Sequence, residues 1–312
     1  LLPRLDRGAV SPGPCTAELP AEALPRTSKD MSMDQHPALS PGRTAIVTGA
    51  ASGIGRAAAH RFAELGLSVW LSDLPGPALD EAVAAIKAGG GQAVAAPVDV
   101  SQPGEMERLA REVAERSGDI AVLMNNAGIG LDGSFASPLE TWHRIIDVNL
   151  WGVIHGVKAF LPAMLAANRP ALIVNTGSKQ GITTPPGNTP YNVSKAALKV
   201  FTEALAHDLR GRDGCRVTAH LLIPGYVFTG MTRAPGATDK PAAAWTPEQT
   251  VGFMLDSAAR GDFYILCPDN DVDRPTDEKR ILWSTGDIVE NRPALSRWHP
   301  DYKDAFATYM QG

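Results

Sequence analysis

The run Tyr191-Asn192-Val193-Ser194-Lys195 holds the side chains best suited to chemistry in this 312-residue sequence. On a helix, positions i and i+4 share a face, so the Tyr191 phenol and the Lys195 ammonium point toward one pocket. A free phenol titrates near pH ~10 and a neighbouring cation favours the phenolate; a downward shift of about three units takes about 4 kcal/mol. Such a tyrosine can exchange a proton with an alcohol or a carbonyl. As a bare pattern Tyr-x-x-x-Lys is weak, because most instances are solvated helix faces. The surrounding chain has to decide its meaning.

The elements that would position the pair begin at Arg43. Residues 44–48 (Thr-Ala-Ile-Val-Thr) read as a short buried strand, followed by Gly49-Ala50-Ala51-Ser52-Gly53-Ile54-Gly55 and a helical run over 56–65. Glycines between a strand and a helix let the backbone approach a ligand, and the helix N-terminus offers unpaired N–H groups to a pyrophosphate. A second strand, 68–72, ends in Asp73, eighteen residues after Gly55. A carboxylate there accepts from the 2′- and 3′-hydroxyls of a ribose and repels a 2′-phosphate. No Arg or Lys follows Asp73, and Ser52 stands where a phosphate reader would carry a base. NAD is therefore expected in preference to NADP.

Helical runs at 79–87 and 105–116 alternate with strands at 93–97, leading into Asp99-Val100, and at 120–124, leading into Asn125-Asn126-Ala127-Gly128. This alternation predicts an α/β fold with a parallel sheet and helices on both faces. Its ligand crevice lies beyond the carboxyl ends of the strands, where Asp73, Asp99 and Asn126 fall. Residues 139–160 are apolar on one side with Asn149 in the middle, and Pro162 marks a kink or an interruption. A strand at 171–175, the segment Thr176-Gly177-Ser178, the helix of Tyr191 and a sixth strand at 216–222 follow. Residues 230–247, rich in Ala, Pro and Gly, read as a mobile lid. A seventh strand at 263–267 and helices at 276–288 and 301–310 complete the chain.

Composition narrows the function. With 44% hydrophobic and 20% charged residues and a net charge of −5, the chain offers no nucleic-acid surface. No apolar stretch is expected to reach the roughly eighteen residues of a membrane span. Cys15, Cys215 and Cys267 show no metal or redox spacing and the seven histidines form no ligand cluster, so no metal and a reduced, cytoplasmic location are expected. Residues 1–41 hold seven prolines without an apolar period, and read as a disordered tail lacking a secretory or organelle signal. A catalytic domain is expected over 42–270, with a helical extension over 271–312 packed on it.

Taken in order, Thr48-Gly49-x-x-x-Gly53-Ile54-Gly55, Asn125-Asn126-Ala127-Gly128, Asn149, Ser178, Tyr191-x-x-x-Lys195 and Pro224-Gly225 resemble the short-chain dehydrogenase/reductase family, compact single-domain branch. Ser178 precedes Tyr191 by thirteen residues, the separation usual in that family. The resemblance implies a Rossmann-like, doubly wound, mostly seven-stranded parallel sheet. It implies Tyr191 as general acid/base, Lys195 lowering its pKa and binding the nicotinamide ribose, Ser178 orienting the substrate oxygen, and Asn149 holding a water that links Lys195 to solvent. Gly49, Ser52, Gly53, Ile54, Gly55, Asp73, Asp99, Val100, Asn126, Ala127, Gly128, Pro224, Gly225, Val227 and Thr229 would line the dinucleotide, together with Tyr191 and Lys195.

Two departures stand out. Lys179 follows the serine, either meeting a charged substrate or facing solvent, and the C-terminal part does not match the short ending common in the family. The expected activity is NAD(P)-dependent hydride transfer between nicotinamide and a secondary alcohol or ketone. The alternatives are a non-catalytic NAD sensor, which would commonly lose the Tyr or Lys, and a nucleotide-sugar epimerase or dehydratase, which would need a larger second domain. Ile129, Leu131, Ile182, Pro186, Tyr226 and Met231 are candidates for an apolar substrate wall. By resemblance, the assembly is a homodimer or homotetramer.

Overall fold

The strand β1 (Thr44–Thr48) is buried along its whole length, as a strand covered on both faces must be. A computed structural model describes residues 35–130, 133–233 and 236–312; Leu131, Cys15 and residues 1–34 of the expected tail lie outside these. On one side of β1 run β2 (Ser68–Asp73) and β3 (Gln92–Pro97). On the other run β4 (Ile120–Asn125), β5 (Ala171–Thr176), β6 (Val217–Ile223) and β7 (Tyr264–Leu266). Every pairing is parallel, giving the expected doubly wound sheet of seven strands. The chain leaves β1 toward β2 and resumes at β4 on the opposite side, so the loops diverge there and open a crevice.

Two helical layers cover the sheet. Helices α1 (Gly53–Glu64), α2 (Pro77–Ala88) and α8 (Pro247–Ala259) bury Phe62, Leu79, Ile86 and Met254 on one face. Helices α3 (Pro103–Arg116), α5 (Gly152–Ala167) and α7 (Thr189–Arg210) bury Leu109, Phe160, Leu205 and Leu209 on the other. Each such side chain contributes about 1.5–3 kcal/mol when fully buried.

Several elements differ from expectation. Helix α8 has no counterpart in the sequence reading, although Thr246 and Gln249 form a reciprocal capping box at its start. The segment 139–167 contains α4 (Leu139–Ile146), a π-helical turn (Asp147–Trp151) and α5. The helix runs on through Pro162, held by buried Phe160 and Met164, so the irregularity falls at Asn149 instead. This 29-residue run, in which an 18-residue window reaches a mean hydropathy of 1.4, is long and apolar enough to cross a membrane by length and composition, contrary to the sequence reading. Here it packs against β4, α3 and α7. At the C-terminus, α9 (Arg274–Val289) and α10 (Lys303–Gln311) enclose Trp283, whose ring lies 5.2 Å from that of Phe306.

Residues 36–41, assigned on composition to the tail, instead belong to the packed body. Ala38 and Leu39 are buried in the core, and the His36 ring meets His220 edge-on at 6.2 Å. Burial, aided by His220, lowers the His36 pKa to about 4. Arg43, 4% exposed, secures this segment. Its guanidinium donates to both Asp119 oxygens at 2.9 and 3.0 Å and to the carbonyls of Ala38 at 3.1 Å and Pro170 at 2.6 Å. Arg169 pairs with the same carboxylate. Burial raises the Asp119 pKa, but the bonds from Arg43 and Arg169 outweigh it and hold the carboxyl below its usual range.

Replacing Arg43 by Met leaves the Asp119 charge and the carbonyls of Ala38, Pro170 and Ile120 short of a partner. A loss of about 3 kcal/mol is expected in urea denaturation at pH 7. Because the Asp119 pKa is depressed in the folded protein, its contribution is present above the unfolded carboxyl value and fades as pH falls through the folded one. The gap between wild type and Arg43→Met should therefore narrow in acid.

Candidate active site

The turn from β1 into α1 depends on glycine. Gly49 and Gly53 have φ of +66° and +54°, and a Cβ on Gly49 would lie 2.8 Å from the Ala127 Cα. Ser52, at the N-cap of α1, makes no side-chain cap bond, so the first-turn N–H groups are left for an anion. The Asn126 amide donates to the carbonyls of Thr48 and Gly49 at 3.2 and 3.3 Å, and Thr48 Oγ1 accepts from the Asn126 and Ala127 N–H groups. Asp73 Oδ2 accepts from Ala51 N–H at 2.9 Å. These bonds fix the glycine loop before any ligand arrives.

A cavity of about 1080 Å³ opens above these groups at the carboxyl ends of the strands. The expected catalytic and dinucleotide residues line it, with two exceptions: Gly55 and Asn149. A Cβ on Gly55 would lie 2.2 Å from the Gly49 carbonyl oxygen. That glycine lets α1 close on the loop. Asn149 is fully buried behind the wall, where its Oδ1 accepts from Ile129 N–H at 2.8 Å and its Nδ2 donates to the Ile129 carbonyl at 3.0 Å and to Ser194 Oγ at 3.2 Å. Among the expected substrate-wall residues Ile129, Tyr226 and Met231 line the cavity. Ile182 packs instead against Leu221, Ile223 and Leu266, and Pro186 is not on the wall.

The reacting end is held by α7, whose N-cap Asn188 accepts from Tyr191 N–H. Ser178 stands beside the Tyr191 phenol on the cavity wall and, as a hydrogen-bonding neighbour, draws its pKa down; Ser178 Oγ accepts from Gln180 N–H at 3.1 Å. Lys195 is 4% exposed; its Nζ donates to the Thr176 carbonyl at 2.7 Å and lies 5.8 Å from the Tyr191 ring centre. The expected acidification of Tyr191 by Lys195 is not met in the protein alone. Burial raises the Tyr191 pKa, and the Ser178 bond offsets part of that rise. Burial also lowers the Lys195 pKa to about 8, so the ammonium readily gives up its proton near neutrality.

The residues present fit a dinucleotide: unpaired helix N–H groups beside a glycine cradle suit a pyrophosphate, and Asp73 suits a ribose. Sequence reasoning missed the roles of Thr48 and Gln180, which act through backbone hydrogen bonds and carry no spacing signal. It also left Lys179 either touching substrate or facing solvent. Its ammonium instead pairs with Asp277 at 2.5 Å and Asp269 at 3.6 Å.

Comparison with known proteins agrees with this geometry. Residues 43–240 match the family model described as short chain dehydrogenase. The chain is 34% identical over 263 residues to 1-deoxy-11-beta-hydroxypentalenate dehydrogenase of Streptomyces exfoliatus, covering 82% of this chain and 94% of that protein. A short chain dehydrogenase/reductase from Burkholderia phymatum, solved in complex with NAD, superposes with a TM-score of 0.73 and 32% identity, covering 81% of this chain and 96% of the other. A metagenomic short-chain oxidoreductase in complex with NADP gives 0.62 and 28%, covering 73% and 98%.

The depressed Lys195 pKa makes a stability prediction. Between pH 8 and 10.5 the unfolded chain binds the proton that the folded one has lost, so wild-type stability rises with pH across that window. Lys195→Met removes the buried charge. At pH 7 it should be more stable than wild type by about 2 kcal/mol, after allowing for the lost bond to Thr176. The difference should shrink above pH 8 in thermal melts; a variant less stable than wild type at pH 7 would contradict it.

Proposed function

The chain belongs to the short-chain dehydrogenase family, and from that premise we propose that it is an NAD-preferring dehydrogenase of a largely apolar secondary alcohol, with Tyr191 as its acid/base. The coarser part follows from membership: it is a nicotinamide-dependent oxidoreductase acting between an alcohol and a ketone. The observation that carries the finer reading is that Ser178, Tyr191 and Lys195 share the wall of the cavity that also holds the glycine cradle and Asp73.

Nicotinamide, when bound, takes or gives the hydride at the carbinol carbon. The rest is the work of this chain. In oxidation Tyr191, as the phenolate, accepts the hydroxyl proton and Ser178 donates a hydrogen bond to the substrate oxygen, holding it against the tyrosine as charge develops. Lys195 supplies the positive charge that offsets the phenolate, and binds the nicotinamide ribose. Asn149 ties Ile129 to the helix of Lys195 through Ser194, which supports a structural part in the proton path.

NAD is favoured because the Asp73 carboxylate faces the adenosine end and the next side chain is Leu74, 60% exposed. A 2′-phosphate there would meet negative charge with no neighbouring cation in sequence. Ile129, Tyr226 and Met231 favour an apolar substrate, while Gln180 and Asn188 on the same wall provide polar contacts for a second functional group. The same reading places the enzyme in the cytoplasm as a homodimer or homotetramer. The exposed side chains of Leu139, Trp151, Val193 and Val200 offer a contact face for a second copy.

Two measurements test this reading. Purified protein assayed by nicotinamide absorbance with a panel of secondary alcohols should turn over, and Tyr191→Phe should lose at least about a hundredfold in kcat. A Phe variant near wild-type rate would sink the acid/base role. Asp73→Ala should raise KM for NAD and narrow the preference over NADP; an unchanged ratio would remove Asp73 from cofactor choice.

A further inference from the structure

A buried charge cluster joins the C-terminal helix α9 to the serine of the site. Lys179, the residue after Ser178, has only 19% of its side chain exposed, and the carboxylates it meets, Asp277 of α9 and Asp269 after β7, are 6% and 7% exposed. The 2.5 Å contact to Asp277 is an ion pair without the alignment of a hydrogen bond. Asp269 is itself fixed, accepting from Tyr226 N–H at 3.0 Å and Val272 N–H at 2.9 Å. A Cβ on Gly225 would lie 2.7 Å from Asp269 Oδ2 and 3.0 Å from Lys179 Nζ, so the loop after β6 closes directly on the pair. Arg280 and Arg297 add positive charge around Asp277. Beside the charges, Ile281 of α9 and Ile182 of the short helix α6 (Gln180–Thr183) both pack on Leu221, Ile223 and Leu266. The segments that follow β5, β6 and β7 are thereby held together by one lysine and two carboxylates.

We propose that Lys179 is a positioning residue for Ser178, anchored by Asp277 of α9, so that the C-terminal extension helps to set the catalytic geometry. Ion pairs of this kind contribute little net stability, because desolvation offsets their attraction; what the pair does is fix one arrangement. The fixed arrangement is the turn 178–180, in which Ser178 Oγ accepts from Gln180 N–H and stands on the cavity wall with Tyr191. Releasing Lys179 frees the main chain one residue from Ser178. The inference rests on the reading of Ser178 and Tyr191 given above.

The test is steady-state kinetics over a pH range with full-length Lys179→Met, Lys179→Arg, Asp277→Asn and Tyr191→Phe, each checked for folding by thermal denaturation. Lys179→Met and Asp277→Asn should lose about ten- to a hundredfold in kcat, the size of effect that a displacement near 1 Å produces. KM should stay within about twofold, because substrate binding is not what is lost. The pKa governing kcat should rise as Tyr191 loses its Ser178 bond, and Lys179→Arg should recover most of the rate. A loss of stability alone would move neither that pKa nor the kcat-to-KM pattern.

Unchanged kcat and pH profile in Lys179→Met, with Tyr191→Phe inactive, overturn the proposal alone. A raised KM at constant kcat in Lys179→Met, with Asp277→Asn like wild type, overturns it in favour of direct substrate contact. An active Tyr191→Phe overturns the catalytic reading beneath it. Should Lys179→Met fail to fold, Asp277→Asn decides, since it keeps its shape and leaves Asp269 in place.

Discussion

The structure is arranged around the burial of one ammonium group. Lys195 lies at the heart of the α7–sheet junction, and taking its charge out of water opposes folding. The Thr176 carbonyl, at the end of β5, supplies a hydrogen bond at 2.7 Å. Space for the arrangement comes from absent side chains. A Cβ on Gly181 would lie 2.5 Å from the Lys195 carbonyl carbon, and one on Gly128 would lie 3.6 Å from Nζ and 3.3 Å from Asn149 Oδ1. A side chain at Gly181 would push α6 off the helix of the lysine, while one at Gly128 would crowd the Asn149 amide. The residues nearest the charge are therefore constrained by volume as much as by chemistry.

The π-helical turn belongs to the same constraint. Asn149 sits within it, and its amide satisfies both the N–H and the carbonyl of Ile129, whose strand-end loop would otherwise bury unpaired groups. Through Ser194, which accepts from Asn149 and donates to the Tyr191 carbonyl at 2.7 Å, the loop after β4 is tied to the first turns of α7. A regular α-helix would rotate Asn149 relative to these partners. Irregular helical turns of this type commonly mark functional sites, and here the irregularity aims one amide.

Much of the fold was legible because its signals are local. The strand 44–48 is a short run rich in β-branched residues, and the glycines at 49, 53 and 55 mark the turn after it. Tyr191 and Lys195 share a face through helical spacing alone. What the sequence concealed depends on partners distant in the chain. Residues 36–41 look like a tail until Arg43 gathers the Ala38, Pro170 and Asp119 oxygens. The capping box at Thr246 and Gln249 was readable, but the Ala- and Pro-rich residues before it masked the onset of α8. Tyr191 was expected to be acidified by Lys195; burial of both groups reversed that balance, and burial cannot be read from a five-residue pattern. Asp277 stands almost a hundred residues from Lys179, with nothing between them to announce the pair.

Two buried lysines on the same cavity show how surroundings divide one side-chain type between two tasks. Lys179 is met by two carboxylates, and its contribution is its place in the fold. Lys195 is met by a carbonyl, whose dipole accepts a hydrogen bond without the full attraction of an anion, and its proton affinity falls to about 8. A cation desolvated in this way can pass a proton at physiological pH. A carboxylate placed beside Lys195 would raise its pKa and weaken its pull on the Tyr191 phenol. The neutral partner at Thr176 is thus as much a condition of the chemistry as the lysine, and the main-chain carbonyl of β5 supplies it without any side chain to identify it in the sequence.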